Sequence, residues 1–210
     1  MSLLQKSKPR RRPQAIRRLA LLLASLGADA ERISVVGMAF GIAAGAAFMA
    51  TGELQNPQPA WLAAAGLCLA RLLSIQTAAA LRPASDRQTR EEAFYNELPE
   101  RVSDAVTLIG FGFALDSSPW LGLGAALSAI LSAYVRSFSF PGRDSARDVG
   151  IVLMDRRQRL VLLASAAVLM VVGASRPLPF HPTELALWTV VAGCLLTVAL
   201  RWLDLRAIKV

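Results

Sequence analysis

Between residues 33 and 51 the chain runs for nineteen residues without a charged side chain. At about 1.5 Å of rise per residue, roughly twenty apolar residues in a helix cross the hydrocarbon of a bilayer. Five further apolar runs follow, at 61–81, 102–115, 120–135, 160–174 and 185–203. Three of these hold a charge: the first has Arg71, with Gln76 beyond it, while Asp104 and Arg201 sit near the ends of the second and the last. Backbone amides find no water in lipid, so such runs must satisfy themselves as helices. The shorter ones need residues from their flanks to span. The expected fold is therefore an all-α integral membrane protein of six transmembrane helices. Composition agrees: 54% of residues are hydrophobic, only 18% are charged, and mean hydropathy is +0.45.

The formal net charge of +8 would suit a nucleic-acid binder, but no nucleic-acid-binding motif accompanies it. The 23 Lys and Arg instead follow the spans. Eight precede the first, four lie in 82–101, six in 136–159 and three after the sixth, while Arg176 alone falls in an opposite loop. Positive charge marks the cytoplasmic face, so both termini are expected there, in the cytoplasmic (inner or plasma) membrane. Residues 19–27 and Ala28-Asp29-Ala30 resemble a cleavable signal peptide. Cleavage would place the arginine-rich loops outside, so the segment is expected to stay uncleaved as an amphipathic interfacial helix. Two regions result: a basic cytoplasmic arm and interfacial helix over 1–32, and a six-helix transmembrane domain over 33–210.

Gly37, Gly41 and Gly45 share one face of the first span. Small residues every fourth position let helix backbones approach closely, either between two copies or within one chain. Cys68 and Cys194 lie inside apolar runs and are expected as packed thiols rather than a disulfide or zinc ligands. His181, the only histidine, lies away from the basic loops.

Glu97, Glu100 and Asp104 are spaced three and four apart at the start of the third span. Carboxylates grouped on a polar cavity bind divalent cations through oxygen, whereas acids at a solvated helix start merely complement its dipole. The second reading is preferred for Glu97, while Asp104 lies deeper. Arg136 closes the fourth span, and Arg156, Arg157 and Arg159 precede the fifth. Arginine forks suit phosphate, yet each of these also suits plain topology anchoring.

Read in order, the pieces resemble the CDP-alcohol phosphatidyltransferases, over most of residues 31–175. They are Ile33-Ser34 opening a glycine-rich helix, Arg71-Leu72-Leu73, the segment from Tyr95 to Asp104, Tyr134-Val135-Arg136, and Gly150 with Arg156 and Arg159. The family pattern is D-x2-D-G-x2-A-R followed by G-x3-D-x3-D, its four aspartates holding metal. Its second half survives as Asn96-x3-Glu100-x3-Asp104. Its first half does not: the upstream aspartates would fall near Ile75 and Ala78, and no acid lies between Arg71 and Arg82. Ala30-Glu31 also replaces the Pro-Asn that often precedes the first helix.

The resemblance implies a six-helix bundle of that type in phospholipid biosynthesis, diverged or catalytically impaired. If active, it would release CMP with an altered metal site. Glu100 and Asp104 would then hold Mg²⁺ or Mn²⁺, Asp104 would be the catalytic base, and Arg136, Arg156 and Arg159 would bind substrate phosphate. Expected partners are membrane lipids, CDP-diacylglycerol or another CDP-alcohol, and a second subunit, as a homodimer or with an active homologue. A non-enzymatic membrane protein or transporter subunit is the alternative from outside the family.

Overall fold

The computed structural model describes residues 14–25, 27–81, 90–137, 154–173 and 179–206. Among them are seven helices: α1 (Gln14–Ser25), α2 (Ala30–Ala50), α3 (Gln58–Leu81), α4 (Arg90–Gly112), α5 (Pro119–Ser137), α6 (Arg156–Gly173) and α7 (Pro182–Arg206). Each apolar run of the sequence falls largely within one of α2–α7, and the N-terminal amphipathic segment forms α1. Helix starts follow local chemistry: α5 and α7 open on Pro119 and Pro182, where the missing N–H costs nothing. Gly27, at φ +76°, separates α1 from α2. Its N–H donates to the Ala24 carbonyl at 3.0 Å, as a left-handed C-cap does.

Among the described residues, three helices are long and apolar enough to cross a membrane: Ala30–Ala50, Gln58–Leu81 and Pro182–Leu203. The stretch Pro119–Val135 is apolar but shorter. Two others fall short because charge occupies their first turns. α6 opens Arg-Arg-Gln-Arg, and α4 begins at Arg90 rather than near Val102, continuing through Pro99.

The six helices α2–α7 close into a ring. α2 packs on α3, α3 on α6, α6 on α7, α7 on α5, α5 on α4, and α4 back on α2, with α1 lying against α3. Small residues make the close crossings possible. A Cβ on Gly37 would lie 2.7 Å from the Ser74 Cβ, and one on Gly45 would lie 2.7 Å from the Val106 carbonyl oxygen. The glycine stripe is thus packed inside the chain, against α3 and α4. Cys68 and Cys194 are both buried free thiols.

One end of the ring is built around an aromatic cluster. Phe48, Trp61 and Phe111 meet edge-on with centroids 4.8 to 6.2 Å apart. Beside them the buried Thr51 hydroxyl donates to the Phe48 carbonyl at 2.6 Å and accepts the Leu115 N–H at 3.0 Å. Thr51→Val keeps the shape but strands that N–H, an expected loss of roughly 1–3 kcal/mol. Unfolding midpoints in detergent would show it, with Thr51→Ser close to wild type. Equal midpoints for Val and wild type would refute the bond.

Candidate functional site

The opposite end of the ring is ionic. α6 is fixed there by its own first residues. The Asp155 N–H donates to the Gln158 side chain at 2.6 Å, and the Asp155 carboxylate accepts the Arg156 N–H at 2.8 Å. The first of these bonds is the back half of a capping box. With the start set, Arg156 and Arg159 are three residues apart and share a face. That face turns toward α4, where Glu100 and Asp104 are four apart.

Arg156 bridges the two acids. Its Nε donates to Asp104 Oδ2 at 2.6 Å and its Nη1 to Glu100 Oε2 at 2.5 Å. Arg159 Nη2 donates to the same Asp104 oxygen at 3.2 Å, while its Nη1 lies 3.9 Å from Cys194 Sγ. From α3, Arg71 Nη2 approaches Asp104 Oδ1 at 3.9 Å. From α2, the Ser34 hydroxyl donates to Glu100 Oε1 at 2.9 Å. Four helices therefore meet at two carboxylates and three guanidinium groups. Arg71 is only 1% exposed, and its Nε and Nη2 have no hydrogen-bond partner among the described residues.

Burial alone would push the Glu100 carboxyl up. The Arg156 charge and hydrogen bond, then Ser34 and the Arg71 charge, outweigh this and hold it below the usual glutamate range. For Arg156, burial works against the charged form, but Asp104 and Glu100 raise its pKa further still. Both groups are held ionised by each other.

A cavity of about 270 Å³ opens beside this cluster, lined by Ile75, Glu100, Arg101, Asp155, Arg156, Arg157 and Arg159, with α5 residues forming the remaining wall. Arg157 is exposed. Ile75 is where the first upstream carboxylate of the resembled pattern would fall, so an apolar side chain lines the cavity in its place. Ala78, the second such position, is buried. A larger cavity, about 470 Å³, lies at the other end of the ring near Trp61, Asp116 and His181.

The expected phosphate ligands Arg156 and Arg159 and the expected metal ligands Glu100 and Asp104 are thus brought together, but they bond to one another. Arg136 lies in the last turn of α5; its side chain, like those of Glu97, Glu91 and Asp86, lies outside the described residues. Sequence reasoning missed Arg71 and Ser34 as members of the cluster. The signal for Arg71 was its charge within an apolar run, a rare and costly placement that implies a partner.

Divalent cations of the magnesium and manganese kind need several oxygen ligands free to coordinate. Among the described residues no group of three or more His, Cys, Asp or Glu comes together. Glu100 and Asp104 already accept from arginine. These residues do not fit a divalent ion.

No protein-family model and no curated protein sequence matches the chain. Among solved structures it is similar to the phosphatidylinositol phosphate synthase PgsA1 of Mycobacterium tuberculosis with CDP-DAG bound. The TM-score is 0.62 at 16% identity, covering 90% of this chain and 92% of that one. The likeness is one of fold: an all-helical membrane-type bundle shared nearly end to end.

Proposed function

We propose that this chain is a CDP-alcohol phosphatidyltransferase-like protein of phospholipid metabolism that no longer carries out metal-dependent phosphotransfer. On this reading α2–α7 form a single membrane domain over 33–210. The arm and α1 lie on the basic, cytoplasmic side of the plasma or inner membrane. The pocket at that side is kept for a phosphate-bearing lipid or nucleotide-lipid. The observation that carries the reading is the Arg156 bridge across Glu100 and Asp104. In a metal-dependent transferase those carboxylates must be free to hold the ion that neutralises the leaving group. Here a guanidinium takes up one oxygen of each, and Ile75 and Ala78 supply no replacement.

The structural likeness to a CDP-DAG-bound synthase supports the lipid-nucleotide class of ligand. The ion-pair cluster lies at one end of the ring, whereas a transport path needs polar groups through both halves of the bilayer.

The test is direct. Purified protein in lipid nanodiscs is given CDP-diacylglycerol with Mg²⁺ or Mn²⁺ and a panel of phosphorylated and free alcohols, and CMP is measured. The expected result is CMP no higher than in protein-free nanodiscs. CMP release that appears with metal and stops on adding EDTA would overturn the reading and restore an active transferase.

A further inference from the structure

We propose that the recess of about 470 Å³ at the aromatic end of the ring binds a neutral polyhydroxylated group, carried by a soluble sugar or by a glycolipid headgroup. The proposal is independent of the ionic cluster at the opposite end and of whether that cluster holds a metal.

Protein interiors keep few voids larger than a water molecule, and sites for small organic ligands run from about 300 to 1,000 Å³. The recess has the size of such a site, and its frame is fixed. Trp61 at its floor is buried and held edge-on by Phe48 and Phe111, with centroids at 5.8 and 6.2 Å. On one wall the buried Thr183 hydroxyl donates to the Asp116 carbonyl, which ties the turn between α4 and α5 to the start of α7. Asp116 holds φ +54° in that turn, a conformation that Asp and Asn adopt more readily than other residues with a side chain.

The lining selects the class of ligand. Gln55, Asn56 and Gln58 stand exposed at the turn into α3, with Asp116 and His181 exposed across the recess from them. Each amide offers both donors and an acceptor, and a neutral imidazole offers one of each. Hydroxyl groups also donate and accept, so a ligand dense in hydroxyls answers all of these groups. Trp61, Met170 and Phe180 line the same recess and supply apolar surface for the C–H faces of a sugar ring. Among the described residues no lysine or arginine lines it, so a phosphate would enter without a counter-charge. An acyl chain would strip the amides of water and return no hydrogen bond. A cation would have Asp116 alone to pair with.

The full-length protein in phosphatidylcholine nanodiscs is titrated by calorimetry with maltose, sucrose and trehalose, and with choline as the cationic comparison. A second set of nanodiscs carries monoglucosyl- or diglucosyl-diacylglycerol, with retention on the protein read by native mass spectrometry against phosphatidylcholine. Saturable binding of a sugar, or preferential retention of a glycolipid, is expected, and choline should not bind. Binding of a free sugar assigns a soluble ligand, whereas glycolipid retention without it assigns a membrane one.

Gln55→Ala and His181→Ala remove exposed groups at the rim, so folding is not at stake. Each should weaken binding about three- to tenfold, the scale of one hydrogen bond, at an unchanged unfolding midpoint. Asp116→Asn removes the charge and tolerates the same φ, so sugar binding should stay close to wild type. Three results overturn the proposal: no binding of any of the five sugars and glycolipids, wild-type affinity in both alanine variants, or choline binding that Asp116→Asn abolishes. None of these bears on CMP release, which tests the proposed function separately.

Discussion

Replacing Asp104 with asparagine is expected to destabilise the protein by roughly 3–5 kcal/mol, the cost of removing one partner from a buried ion pair. The substitution keeps size and shape, so packing contributes little to the loss. What it removes is the anion shared by three cations: Arg156 at 2.6 Å, Arg159 at 3.2 Å and Arg71 at 3.9 Å. Arg71 is 1% exposed and Arg159 8%, so neither can turn to water for compensation. Glu100→Gln should act in the same direction with a smaller effect, because Glu100 is 23% exposed and faces one arginine. Adding Arg71→Leu to Asp104→Asn should recover part of the loss by removing a stranded cation, a coupling that a double-mutant cycle measures. Thermal or denaturant midpoints in lipid or detergent read all three. An Asp104→Asn midpoint equal to wild type would mean that the cluster does not hold the helices together.

The second large effect is steric. Gly110→Val is expected to cost about 3 kcal/mol, at the upper end for overpacking. A Cβ on Gly110 would stand 2.6 Å from the Gly45 Cα, and one on Gly112 would stand 2.6 Å from the Gly122 Cα. In both cases backbone meets backbone, so no side chain can rotate away. α4 is pressed against α2 through one glycine pair and against α5 through the other. Gly66 and Gly124 supply the control, since a Cβ there meets nothing within 4 Å. Alanine at either position should be neutral or stabilising by up to about 1 kcal/mol, the propensity difference in a helix interior. The same unfolding measurement distinguishes the two classes. A tolerated valine at Gly110 would show that α2 and α4 do not cross there.

How much of this was legible in the sequence depends on whether the signal is local. The helices α2–α7 could be read because each run of apolar residues is decided by its own composition. The start of α4 at Arg90 could not, since Pro99 and a dense set of charges mask helical continuity. α6 could have been placed more closely from Asp155 and Gln158, a capping pair three residues apart. The stripe Gly37, Gly41, Gly45 was visible, but its partners Ser74, Ser103 and Val106 were not, because a crossing depends on how distant segments fold together. The same limit applies at the site. Glu100, Asp104, Arg156 and Arg159 stand out as residues that need a reason to be where they are. That they answer one another, rather than a metal and a phosphate, follows from the contact between α4 and α6. An arginine next to a carboxylate in a nearly buried position pairs with it, since leaving either alone is costlier.

The closed ring of helices also orders events in time as the chain is made. Asp104 lies 52 residues before Arg156 and 55 before Arg159, so it leaves the ribosome well ahead of both. Arg71, on the helix before it, has already emerged. Of the three cations in the finished cluster, it is the one available to the newly inserted α4. The finished cluster keeps that order in its distances: the earlier cation stands at 3.9 Å from Asp104, and the two that α6 brings stand at 2.6 and 3.2 Å.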